Sequence, residues 1–102
     1  MNVTTYTGWR LPDRRALVEV ARHDGTVTFR SSPEEIYPVF NWGHAGEGAW
    51  YLAQFLLQDA THTSPIDKAC ITAFRNDVVA HWNDGWNYTS QDIMQWYASH
   101  CE

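Results

Sequence analysis

Cysteine is scarce in this chain. Cys70 and Cys101 are the two present, 31 positions apart and with no Cys-x-x-Cys pair. In a reducing cytosol they read as two free thiols, Cys70 on the buried side of a helix and Cys101 near the terminus. Long apolar runs are missing too. No stretch approaches the roughly 18 residues that mark a membrane-spanning helix. The start, Met1-Asn2-Val3-Thr4-Thr5-Tyr6, lacks the basic and apolar parts of a signal peptide. The expectation is a soluble, cytosolic protein, in which the sequons at Asn2 and Asn87 carry no glycan. Basic residues are also few, seven against twelve acids, for a net charge of −5.

That charge is unevenly spread. Residues 1–30 hold Arg10, Arg14, Arg15, Arg22 and Arg30 against Asp13, Glu19 and Asp24, a surplus of +2, which leaves −7 on residues 31–102. An acidic body argues against direct nucleic-acid binding, whose sequence-independent affinity comes from a basic face. A host protein with a basic surface is the more natural partner, because complementary potentials speed encounter. The Arg10/Arg14/Arg15 cluster reads as a solvated loop.

Apolar residues make up 44% of the 102 positions, enough for one domain with a packed core and no staples. Residues 1–30 read as antiparallel strands. Val3–Thr7 is β-prone and ends at Gly8. Residues 17–22 and 26–30 flank His23-Asp24-Gly25, and Asp-Gly between β-branched runs signals a hairpin. Three helix starts follow one pattern, a hydroxyl at the N-cap and a carboxylate three residues on: Ser32-Pro33-Glu34-Glu35, Ser64-Pro65-Ile66-Asp67 and Thr89-Ser90-Gln91-Asp92. The first is limited to about a turn by Pro38, which disfavours a helical Tyr37. A helix over roughly 49–59 is apolar nearly all round and belongs in the middle of the fold. The next runs from Pro65 to about His81 with Ile66, Cys70, Phe74 and Val78 on one face. The last spans 90–101 and presents Ile93, Trp96 and Tyr97. The predicted class is α+β, an N-terminal antiparallel meander packed against about three helices, the central one buried.

The densest block is Phe40-Asn41-Trp42-Gly43-His44-Ala45-Gly46-Glu47-Gly48, with Leu52-Ala53 in the helix beyond. It resembles the signature of a small bacterial and phage family of unknown function, in which Trp-Gly-Tyr, Gly-Ser-Gly-Pro and a Leu-Ala helix occur in that order. Ala73-Phe74-Arg75-Asn76-Asp77-Val78-Val79, Trp86-x-Tyr88-Thr89 and Ile93-x-x-Trp96 are similar to its second half. The resemblance covers residues 37–97 and implies a fold and a phage or mobile-element setting, with no activity attached. This chain departs from the pattern at His44 for tyrosine, Glu47 for serine, Ala49 for proline and Trp50 for a small residue.

Nothing in the sequence forms a catalytic set. The glycine spacing matches neither the dinucleotide nor the P-loop pattern, and Glu47 places a carboxylate where an anion would sit. His44 with Glu47 and Asp59 with His62 have residue types for acid–base work. No H-E-x-x-H or Cys/His set accompanies them, and no serine sits in a nucleophile elbow. No catalytic residue, metal ligand or cofactor is assigned. Aromatics are the true excess: six Trp, five Tyr and four Phe. A small core seldom hides six tryptophans, and exposed Trp and Tyr make interaction hot spots. The expected function is non-enzymatic binding of a host protein through Trp42, His44, Glu47, Trp50, Trp82 and Trp86, as in an inhibitor of a CRISPR-type defence complex. The alternative is a small-ligand or nucleotide binder using the glycine loop at 43–48.

Overall fold

Apolar–polar alternation in the first thirty positions becomes three strands in a computed structural model, which describes residues 3–31 and 39–101. β1 (Thr5–Arg10), β2 (Ala16–Ala21) and β3 (Val27–Arg30) are successive neighbours. β4 (Asn87–Thr89) joins on the far side of β1, giving an all-antiparallel sheet of order β3-β2-β1-β4. Among the described residues there are three helices, α1 (Glu47–Thr61), α2 (Lys68–Asp77) and α3 (Ser90–His100), with a 3-10 turn at Val79–His81. The class is α+β, as the sequence implies.

Successive side chains on a strand point to opposite faces, and β2 shows this without a break. Ala16, Val18 and Val20 are buried, while Leu17, Glu19 and Ala21 are half-buried on the other side. Tyr6 of β1 joins the inward set and packs into one core with Leu52, Leu56 and Leu57 of α1. The hairpin forms at the expected place: Arg22 N–H donates to Thr26 O and Gly25 N–H to Arg22 O. β1 does not stop at Gly8 but runs on to Arg10. A glycine weakens a strand interior for want of a side chain to pack, but here another residue fills its place. A Cβ on Gly8 would lie 2.0 Å from Trp86 Nε1, so the Trp86 ring covers the strand there.

α1 begins two residues earlier than expected, at Glu47, and buries Ala49, Leu52, Ala53, Phe55, Leu56, Leu57 and Ala60. It packs against both α2 and α3, which makes it the central helix. Its first turn approaches the preceding segment so closely that a Cβ on Gly48 would meet Val39 O at 2.6 Å.

α2 corrects the Ser64–Pro65 start. Asp67 is the N-cap, accepting from Ala69 N–H, and Lys68 is the first helical residue. Ile66 instead enters the core ahead of the helix. α2 also ends at Asp77, with the last turn to His81 tightened to 3-10 geometry. The Thr89 start is as predicted: Thr89 Oγ1 accepts from Asp92 N–H while Asp92 accepts from Thr89 N–H. This reciprocal pairing satisfies donors that a helix end leaves open. The Ser32–Glu35 start and the Tyr37-Pro38 stop lie outside the described residues.

The two cysteines are not free thiols. Cys70 on α2 and Cys101 just beyond α3 form a disulfide, with their Cα atoms 5.9 Å apart. Cys70 faces inward, as its helical spacing requires, and the end of α3 comes down onto it. The expectation failed because it rested on a presumed compartment, whereas the pairing is set by how α2 and α3 pack.

Candidate functional site

The six residues expected to form a binding surface fall into three places. Trp42, Trp82 and Trp86 come together: Trp82 stacks on Trp86 at 4.0 Å between centroids, and Trp42 meets Trp86 edge-on at 5.6 Å. Trp42 is 2% exposed and Trp86 7%, so these two face the interior, and Trp82 is half-buried. Trp50 lies elsewhere, on α1, edge-on to Tyr51 and donating through Nε1 to Thr72 Oγ1 on α2. His44 and Glu47 are exposed at the entry to α1.

The Trp42 cluster is tied down by charge. Asp84 Oδ1 accepts from Trp42 Nε1 at 2.9 Å and from Arg10 Nε at 3.2 Å, and the Arg10 guanidinium lies over the Trp42 ring. The Trp42 hydrogen bond, with help from Arg10, holds the Asp84 carboxyl below its usual range. Arg10 also donates to Asn41 Oδ1 and Arg14 O. The end of β1, the 41–42 segment and the 82–86 turn are thus one polar-rimmed aromatic latch. Of the remaining arginine cluster, Arg15 pairs with Asp13 at 2.8 Å.

A second network sits at the other end of the sheet. Asp59 of α1 accepts from Tyr6 Oη at 2.5 Å and from both terminal nitrogens of Arg22, at 2.8 and 2.9 Å. Burial works to raise the Asp59 pKa, but the Arg22 and Tyr6 hydrogen bonds outweigh it and hold the carboxyl below its ordinary range. Burial, then the bond to Asp59, pushes the Tyr6 phenol well above its usual value. With three donors already on the carboxylate, Asp59 is a fastening between helix and sheet rather than a free base. Its suggested partner His62 is exposed, in a left-handed conformation at the end of α1. Among the described residues no group of three or more His, Cys, Asp or Glu is arranged to hold a metal ion.

The glycine loop offers little room for a ligand. The space beside Gly48 is taken by Val39 O and Asn41, and the His44 ring folds over Gly46. Gly43 N–H, which a phosphate would need, donates to Val79 O at 3.1 Å. The block is a filled corner that delivers the chain into α1.

The outward face of the sheet, by contrast, exposes apolar side chains on β1 and β3. Cross-strand register sets Trp9 beside Leu17, Glu19 beside Phe29 and Ala21 beside Val27. Trp9 is 47% exposed, Val27 49% and Phe29 56%. Glu19 at the centre accepts from Trp9 Nε1 at 3.0 Å, which fixes the indole against the sheet. The sequence reading missed this surface. Two-residue alternation carried past Gly8 would have found it, since it puts Tyr6 and Trp9 on opposite faces.

These features define a small α+β domain in which Trp42 and Trp86 are buried and Trp9, Val27 and Phe29 are exposed on one face of the sheet. The chain belongs to a family of unknown function, DUF6166, which matches it over residues 6–99. No curated protein and no solved structure matches it. Among the described residues no helix is long and apolar enough to cross a membrane.

Proposed function

We propose that this chain is a non-enzymatic protein-binding domain that works through the outward face of its sheet, around Trp9, Leu17, Val27 and Phe29. The observation that carries the reading is that Trp9, Val27 and Phe29 are each about half exposed on one face of the sheet, with Leu17 of β2 beside Trp9, while Trp42 and Trp86 are enclosed. Contiguous exposed apolar residues mark interaction sites more often than chance surface does, and a partly fixed tryptophan is the residue type most enriched in hot spots. The setting we favour, from the resemblance of the 40–48 block, is a phage or mobile element, with a host protein as partner. An inhibitor of a CRISPR-type defence complex is one such role. The net charge of −5 argues against nucleic acid as the partner, and a basic partner surface would be met by the −7 surplus on residues 31–102 rather than by the sheet face itself.

A cytosolic setting was expected, and the disulfide bears on it. Disulfides persist in oxidising compartments, and the Cys70–Cys101 bond therefore weighs against it. Thiol labelling of the protein drawn from growing cells decides the matter, since a cytosolic pool takes up label at both cysteines.

The test of binding is affinity capture from host lysate with Trp9→Ala/Phe29→Ala as the matched control. A partner retained by the wild type and lost by the variant supports the reading. Equal recovery by both sets the sheet face aside.

A further inference from the structure

We infer that the partner bound by the sheet face presents an arginine to Glu19, set among apolar side chains. The inference rests on the partner-binding reading above and names the chemistry at the middle of that contact. It starts from where the strands send their charges. Arg10 of β1, Arg30 of β3 and Arg22 just past β2 fall on the inward side, and each is engaged there. Arg10 pairs with Asp84, Arg22 holds Asp59 through two hydrogen bonds, and the Arg30 guanidinium lies over the Phe55 ring of α1. Among the described strand residues, Glu19 is the single charged one on the outward face. That face is therefore acidic at its middle, although residues 1–30 carry a surplus of +2.

Glu19 is half-buried on an inner strand, with Thr7 beside it on β1 and Phe29 on β3. Leu17 and Ala21 flank it along β2 on the same face. Its Oε1 accepts from Trp9 Nε1 at 3.0 Å. An ionised carboxylate accepts at about four lone-pair sites, so one indole N–H leaves most of that capacity unused. A partner that covers Trp9 and Phe29 also takes this carboxylate out of water. Burying a charge is costly unless it is both paired and hydrogen-bonded. A neutral donor would fill a lone pair and leave the charge uncancelled. A cation with N–H groups does both.

Arginine suits the place better than lysine. Its guanidinium is planar and weakly hydrated, and it stacks on aromatic rings while donating in its own plane. Phe29 stands directly across from Glu19, and Trp9 is fastened to the same carboxylate. Opposite residues of an antiparallel pair have Cβ atoms about 4.5–5.5 Å apart, so a guanidinium donating to Glu19 comes within reach of an aromatic face. Lysine would meet the charge but bring a compact, strongly hydrated ammonium. Apolar neighbours of the arginine then cover Leu17 and Val27. One such cation sits inside the contact, unlike a broad basic surface facing the acidic residues of the rest of the chain.

The experiment is selection of a displayed library of random peptides on the full chain, with Trp9→Ala/Phe29→Ala as the counter-selection. Peptides retained by the wild type and lost by that variant are expected to be enriched in arginine flanked by apolar residues. Glu19→Gln keeps an oxygen to accept from Trp9 Nε1 but loses the charge, and circular dichroism verifies that it keeps the fold. It should bind the selected peptides about ten- to a hundred-fold more weakly, and its residual affinity should respond less to added salt than that of the wild type. Selected peptides with no enrichment in arginine overturn the inference and leave the partner-binding reading standing. Equal affinity of the wild type and Glu19→Gln does the same. A library from which the wild type retains nothing above the Trp9→Ala/Phe29→Ala background removes both.

Discussion

Trp86 stands where a side chain on Gly8 would have to be, and the two backbones are bonded around that contact. Gly8 N–H donates to Trp86 O and Gly85 N–H to Gly8 O, each at 2.9 Å. The indole is held from its other side by Trp82 and is buried, so it has little freedom to retreat. Gly8→Ala should therefore destabilise the protein by about 1–3 kcal/mol, the usual range for overpacking. Urea denaturation measures it. The same change made in a Trp86→Leu background should cost clearly less, and equal costs would mean that the ring is not the obstacle.

Asp59 joins α1 to β1 and β2 through Tyr6 and Arg22. Its folded-state pKa is held below the unfolded value. The stabilisation is therefore complete above about pH 4 and is lost as pH falls through the folded-state value. Asp59→Asn should cost about 1–2 kcal/mol at neutral pH, discounted because the Arg22 side chain is 36% exposed. It should also flatten the acid limb of the stability curve. Thermal melts between neutral pH and the acid transition compare the two proteins.

The Cys70–Cys101 bond closes a loop between residues 31 positions apart. A loop of that length restricts the unfolded chain enough to add about 3–4 kcal/mol in the chain-entropy account. Reduction, or the Cys70→Ser/Cys101→Ser pair, should lower the denaturation midpoint accordingly. Thiol titration of the unfolded, unreduced protein should find no free sulfhydryl.

Arg14 holds a φ of 72° in the loop between β1 and β2. The left-handed region suits glycine and strains residues with a Cβ. Arg14→Gly should raise stability by about 0.5–1 kcal/mol, once the greater freedom of glycine in the unfolded chain is set against the relief. A fall in the melting temperature instead would show that the arginine side chain contributes more than its backbone costs.

Features encoded within a few residues were legible in the sequence. Thr89 and Asp92 form their capping box from adjacent positions, the hairpin at Asp24-Gly25 follows from turn chemistry, and α1 announces its burial by its composition. Features that depend on distant partners were not. β4 is three residues long and exists because β1 is there to pair with it. The disulfide requires α2 and α3 to meet. The burial of Trp42 and Trp86 was not legible for a related reason: residue type says that tryptophan can bind, but not which one is covered. Trp42 is covered by Arg10, Asp84 and Trp86, all remote in sequence, whereas Trp9 is left 47% exposed.

The attachment of β4 to β1 also governs how this chain can be made. Thr4 and Ser90, 86 positions apart, exchange hydrogen bonds, Thr4 N–H to Ser90 Oγ and Ser90 N–H to Thr4 O. During synthesis β1 therefore waits for residues 87–89, some 80 positions later, before its outer edge is paired. Until then the outer edge of β1 is unpaired, with the site beside Gly8 uncovered. Long-range pairings of this kind slow folding, and a chain released before Trp86 would leave the outer edge of β1 without its partner strand.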